Sequence, residues 1–276
     1  MSFARYVSKV MDRIAPLTLA ETWDNFLLKC ATEAPCQNQR ATQSILLTVD
    51  LTTRVTKEAL SLPASMIIAY HPPIFKPLSA ITLSNPLQAS LLHCAAAGIS
   101  IYSPHTALDS VYEGINDWLA SGLGEGRVDL IGDEHPSRRG GPGRLLKLDE
   151  KITMAGLQER AKKHLGLTQL QVALRTDNPN DVHSVAICAG SGGSMLLGVE
   201  ADVYFTGEMS HHEILAALAT GKNVMLCGHT NTERGYLPVL ASKLNAEFAK
   251  VEDHEKGFGK ASIHISQEDR HPLDFV

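Results

Sequence analysis

Short apolar runs alternate with helix-length amphipathic stretches almost from end to end of this chain, and that rhythm leaves few folds open to it. SILLTVD (44–50), ASMIIAY (64–70) and ISIY (99–102) are apolar runs of strand length. DLTTRVTKEAL, with Asp50 or Thr52 as its N-cap, and the stretch from Pro86 to Gly98 read as helices between them, and 113–121 continues the series. The rhythm breaks at IGDEHPSRRGGPG (131–143), which is polar and rich in Gly and Pro. It restarts with RLLKL, ITMAGLQERAKKHLG, LQVAL, VHSVAICAG, DVYFTG, SHHEILAALATG, NVMLCG and NTERGYLPVLASKL. Strands that are continuously apolar, joined by crossover helices, belong to a largely parallel sheet covered on both faces. The expected architecture is therefore α/β, in two related and interdependent units with mostly parallel or mixed sheets. The expected division is 1–130, a linker at 131–143, and 144–276.

Composition narrows the class. At 276 residues the chain can bury a substantial core, and with 44% hydrophobic but only 5% aromatic residues that core must be mainly aliphatic. A net charge of −5 gives no electrostatic footprint for nucleic acid or an anionic membrane. No apolar run reaches membrane-spanning length, and the N-terminal amphipathic stretch lacks a secretory core and cleavage site. The five cysteines form no CxxC pair: Cys30 and Cys36 could approach each other, while Cys94, Cys188 and Cys227 sit in apolar runs as small buried hydrophobes. A reducing, cytoplasmic location is expected, with nuclear access left open because no Lys/Arg-rich run decides it.

The two halves echo each other. In the first, an apolar strand leads into His105, Thr106 and, four residues after the histidine, Asp109. In the second, another leads into His229, Thr230 and Glu233 with the same spacing. An imidazole nitrogen and a carboxylate oxygen leaving a strand end can converge on one point, and that donor set suits zinc, manganese, iron or cobalt better than calcium. Strand C-terminal ends are also where open α/β sheets place ligands. A further strand-end histidine, His71, supports the reading; taken alone it would be a packed turn residue before Pro72. The chain is thus expected to bind one or two divalent ions.

Other residues carry weaker signals. Glu208 and His211 are candidates for acid/base work or for orienting a ligand, against the plainer reading in which Glu208 and Ser210 cap a helix. Gly190, Gly192 and Gly193, in GSGG between a strand and a helix-like segment, could offer backbone N–H groups to a phosphate, although the run fits neither common phosphate-binding pattern. Arg234 is open between an anion contact and a salt bridge. No Ser-His-Asp or Cys-His nucleophile arrangement can be picked out. His93, His135, His164, His183, His254, His264 and His271 read as surface or packing residues.

ETWDN (21–25), YHPPIF (70–75), YSPHTALD (102–109), CAGSGG (188–193), TGEMSHHE (206–213) and GHTNTERG (228–235) together resemble the Nif-three-like family. That is the family of NGG-one-interacting factor three, also called GTP cyclohydrolase I type 2 homologues. The resemblance spans nearly the whole chain in the same order. It implies two intertwined three-layer α/β/α units, a dinuclear metal site and a ring-shaped homohexamer. It also implies His71, His105, Asp109, His229 and Glu233 as ligands. Two departures stand out: Tyr70 replaces the first histidine of the bacterial His-His-Pro pattern, as in the eukaryotic branch, and Phe26-Leu27 stand where the family's WDNxG motif ends in glycine. The short 131–143 segment carries no inserted domain. Two functions follow as expectations. One is a metal-dependent hydrolase of a nucleotide or other phosphorylated small molecule; the other is a non-catalytic metal-binding regulator or metal handler acting through protein partners, such as a transcription adaptor.

Overall fold

The structure is a computed structural model that describes residues 2–24, 32–34, 43–62, 64–175, 181–250 and 261–274. Cys30 and Cys36, and the Asn25–Leu27 end of the WDNxG-like motif, lie outside the described residues. In chain order the elements are α1 (Phe3–Ile14), β1 (Ser44–Thr48), α2 (Thr53–Ser61), β2 (Met66–Ala69), α3 (Pro86–Ala96), β3 (Ser100–Tyr102), α4 (Thr106–Ser110) and α5 (Ile115–Leu123). There follow β4 (Gly126–Leu130), β5 (Arg144–Thr153), α6 (Met154–Leu165), β6 (Gln171–Ala173), β7 (Asp181–Ser191), α7 (Gly193–Leu196) and β8 (Val203–Glu208). The series closes with α8 (His211–Ala219), β9 (Asn223–Leu226), α9 (Asn231–Arg234), α10 (Leu237–Ala249) and β10 (Ser262–Ile265). The chain is mixed α/β, as its rhythm requires.

Two compact units emerge, one of residues 1–107 and 236–270, the other of 108–235 and 271–276. The first carries a parallel sheet in the order β10-β1-β2-β3. Strands β1, β2 and β3 are buried on both faces, which is why they read as unbroken apolar runs. Leu46, Ile67 and Ile101 on one face pack with Val55 and Ala59 of α2 and Leu91 and Cys94 of α3. Helix α10 lies against β1 and β10, and α1 against α10. Local chemistry sets the helix starts: Thr52 accepts from the amide of Val55, and Asn85 from those of Leu87 and Gln88 with Pro86 following.

The second unit has a mixed sheet in the order β4-β5-β7-β8-β9-β6, whose β7, β8 and β9 are parallel. Ala186, Tyr204 and Val224 pack with Leu196 of α7 and Ala217 of α8. Arg144, 1% exposed, makes a bidentate pair with Asp117 and donates to the carbonyls of Ser110, Val111, Gly141 and Gly143, so its buried charge is fully answered.

The sheets divide the chain elsewhere than at 131–143. β4 and β5 flank that segment and pair antiparallel, Gly126 opposite Leu148 and Leu130 opposite Arg144, so the segment is a hairpin connection within one sheet. β10, meanwhile, returns to the first sheet, Ser44 opposite Ser262. Among the described residues no helix is long and apolar enough to cross a membrane.

Candidate metal centre

Three histidines expected as ligands leave the ends of parallel strands, and each has a carboxylate at its Nδ1. In the first unit, Asp50 just beyond β1 places Oδ1 2.9 Å from Nδ1 of His71 just beyond β2. Asp24 Oδ2 lies 2.8 Å from Nδ1 of His105. In the second unit, Glu208 at the end of β8 places Oε1 2.8 Å from Nδ1 of His229. At His71 and His229 the carboxylate can only accept, so Nδ1 carries the proton and the Nε2 lone pair is the one left to bind a metal. The Asp50–His71 and Glu208–His229 intervals are both 21 residues, the length of one strand-helix-strand crossover.

Asp24 is held further. Its Oδ2 accepts from the Thr106 hydroxyl at 2.5 Å and the Thr106 amide at 3.3 Å. Burial pushes its carboxyl up, but the close His105 and the hydrogen bonds from Thr106 outweigh that and leave it below the ordinary value of 3.8. Asp24 is therefore a fixed anion at neutral pH. His105 itself has φ +40°, a left-handed backbone that a non-glycine residue adopts only when its surroundings impose it. Tyr70, in the position of the bacterial histidine, is buried with its ring 4.8 Å from that of His71 and 5.7 Å from that of His105.

In the second unit, His229 Nε2 stands 3.3 Å from Glu233 Oε1, and the Glu233 side chain is 1% exposed. Gly190 makes this approach possible. At φ +62° it is in the glycine region, and a Cβ there would lie 2.7 Å from Glu233 Oε1 and 2.9 Å from His229 Nε2. The Gly190 amide donates to the Thr232 hydroxyl, which in turn donates to the His229 carbonyl. Asn116, fully buried, donates to the Asp109 carbonyl and accepts from the Ala189 amide, tying α4 to the strand that carries Gly190.

Among the described residues of the second unit, His229 and Glu233 set an imidazole nitrogen and a carboxylate oxygen side by side, donors that could hold a metal ion. Imidazole and carboxylate donors suit a divalent transition metal, and the glycine whose missing side chain keeps the Glu233 and His229 atoms clear fits the same use. His105 stands ring to ring with His71 at 5.7 Å, and Asp109 lies half-buried in the first turn of α4.

A family model described as Duf34/NIF3 (NGG1p interacting factor 3) matches residues 3–260. The chain belongs to this family. A Schizosaccharomyces pombe protein NIF3 homolog is 44% identical, over 97% of this chain and 96% of the relative. NIF3-like protein 1 of Drosophila melanogaster is 38% identical, over 97% of this chain and 87% of its own. The crystal structure of a Bacillus cereus protein related to NIF3 superposes with a TM-score of 0.81 over 99% of both chains at 21% identity, a likeness of fold.

Several expected roles shift within this NIF3-family fold. Glu208 does not cap α8; Ser210 does, in a capping box with Glu213, which leaves Glu208 to hold His229. Likewise Thr52, not Asp50, caps α2 and leaves Asp50 to His71. His211 opens α8 in solvent with its ring against His212 at 5.4 Å. The GSGG amides are otherwise engaged than in phosphate binding: Gly190 and Gly192 donate to Thr232 and Thr206, and Glu213 crowds Gly193, so the loop faces carboxylates. Arg234 Nη2 donates to the Thr230 hydroxyl. His271, read as a surface or packing residue, sits 3.0 Å from the same hydroxyl through Nδ1, while His164, read the same way, packs on Trp118. Asp24 and Asp50 as orienting carboxylates were missed; the strand-end position of Asp50, one crossover before His71, was the available signal.

Proposed function

We propose that this chain is a metal-dependent hydrolase that acts on a nucleotide or another phosphorylated small molecule. The observation that supports it most is the His229–Glu233 pair of the second unit, with His229 held at Nδ1 by Glu208, and its counterpart in the first unit, His71 held at Nδ1 by Asp50. His105 and Asp109 would extend the ligand set to one or two ions per chain. Zinc, manganese, iron or cobalt would suit the donors, and when bound would supply a Lewis acid and lower the pKa of a bound water to about 7. The chain's own residues set the geometry. Asp50 and Glu208 fix the ring tautomers of His71 and His229, Gly190 keeps the Glu233 and His229 atoms clear, and the exposed His211 is the candidate for proton transfer.

A panel of nucleotides and phosphate esters, assayed with added manganese or zinc, tests the reaction. Turnover that follows metal and is lost in His229→Ala supports it; rates equal to the metal-free control for every compound refute it. A second reading, a regulator or metal handler acting through protein partners, is favoured by the family description as an interacting factor. Under it, metal would pass to an acceptor protein and no compound would turn over. We also propose a homohexamer, to be weighed by sedimentation equilibrium, and a cytoplasmic location with nuclear access, to be read by fractionation.

A further inference from the structure

Two large aromatic side chains stand in solvent beside His105. Trp23 is 56% exposed and Phe75 57%. Their ring centroids are 6.4 Å apart with the planes tilted by 54°. Both meet His105 steeply, at 5.8 Å and 84° for Trp23 and 6.1 Å and 81° for Phe75. The buried Tyr70 meets the same imidazole at 5.7 Å.

Single exposed apolar side chains are ordinary and need no explanation. This pair differs, because each member is anchored by a neighbour that points the other way. Asp24, next to Trp23, has a side chain 1% exposed and locked to Thr106 and His105. Ile74, next to Phe75, packs on the core cluster of the first sheet. The backbone at both places is thus held, and the two rings are turned outward. Core packing does not account for them, since more than half of each stays in water. Their spacing and tilt are those of aromatic pairs that leave ring faces available to a third ring.

We infer that Trp23 and Phe75 are the recognition wall for a flat heteroaromatic ring of the substrate, of nucleobase size, with His105 as its floor. This rests on the hydrolase reading and names what that site selects. A ring lodged there stacks on either wall and places the rest of its molecule beside a ligand histidine. An imidazole that also serves a metal is a floor for a small molecule rather than the centre of a protein interface, whose core is depleted in charged groups.

Calorimetric titration of the metal-loaded full chain tests this, with AMP, GMP and UMP against ribose 5-phosphate, which lacks the ring. At least one ring-bearing probe is expected to bind on the order of tenfold more tightly than ribose 5-phosphate, as base stacking allows. Trp23→Leu and Phe75→Leu should each erase that difference, leave ribose 5-phosphate binding and metal content unchanged, and be rescued by Trp23→Phe and Phe75→Tyr. Trp118 is packed on His164, so in Trp118→Phe the remaining indole fluorescence reports Trp23 and should be quenched by the ring-bearing probe only. Equal affinity of wild type for all four compounds overturns the inference. So does self-association abolished by either leucine variant without ligand discrimination, which would make a second copy the occupant. If the discrimination persists in protein that binds no metal, the wall stands and the hydrolase reading falls.

Discussion

The same device recurs at the residue scale: a carboxylate grips Nδ1 of His71, His105 and His229. It decides which nitrogen would face an ion. Asp50→Asn and Glu208→Gln are therefore expected to weaken zinc binding by roughly 10–100-fold. Competition against a chelator of known affinity measures this, and unchanged thermal unfolding of the metal-free protein separates the effect from misfolding. Gly190→Ala makes a sharper case, since its methyl would occupy the space beside both Glu233 Oε1 and His229 Nε2 on a backbone at φ +62°. Metal per chain, read by elemental analysis, should fall to background in that variant. Retention of wild-type occupancy would show that Gly190 is not shaping the site.

One strand-helix-strand crossover, at the scale of elements, explains why a carboxylate and a histidine 21 residues apart meet twice. Parallel strands end at the same edge of a sheet, so whatever follows two neighbouring strands is brought side by side. This much was legible: the strand ends at His71, His105 and His229, and the matched His-to-carboxylate spacing, are readable in one dimension. The partner of each carboxylate was not. Asp50 and Glu208 each precede a helix, where an acidic residue reads equally well as a cap, and only the structure shows that Thr52 and Ser210 took that role. Asn116 was also beyond reach, because its partners at Asp109 and Ala189 are 7 and 73 residues away. Replacing it by leucine should leave a buried amide and carbonyl unanswered and cost about 1–3 kcal/mol in urea unfolding. Asn116→Asp keeps the acceptor for Ala189 and should cost less; equal stability of all three proteins would remove Asn116 as the tie.

On the scale of the whole molecule, the alternation of runs gave the fold class, while the structure groups residues 1–107 with 236–270 and 108–235 with 271–276. The 131–143 segment lost its apolar pattern because it is a hairpin connection in solvent, and the pairing of β1 with β10 joins residues 218 positions apart with no local signal. Global stability carries its own pH signature. Cys94 lies in the core of the first sheet, where burial pushes its thiol from 9.0 up to about 12. A raised acid keeps its proton in the folded state, so its contribution is intact below pH 9 and is lost as pH climbs toward 12, at no more than about 1.4 kcal/mol per pH unit. Urea unfolding from pH 8 to 11 should show a steeper alkaline decline in wild type than in Cys94→Ala; parallel declines would place the thiol in contact with water.

The central claim, that this chain is built around a divalent metal, is tested most directly by counting metal. Wild type and the His229→Ala/Glu233→Ala double variant, purified without a chelating tag and exposed to zinc, manganese and iron, would be compared for metal per chain and for circular dichroism. One or two ions per wild-type chain, and none in a variant that keeps its fold, is the expected result. Metal-free wild type after loading, or a double variant that binds as much as wild type, would contradict it.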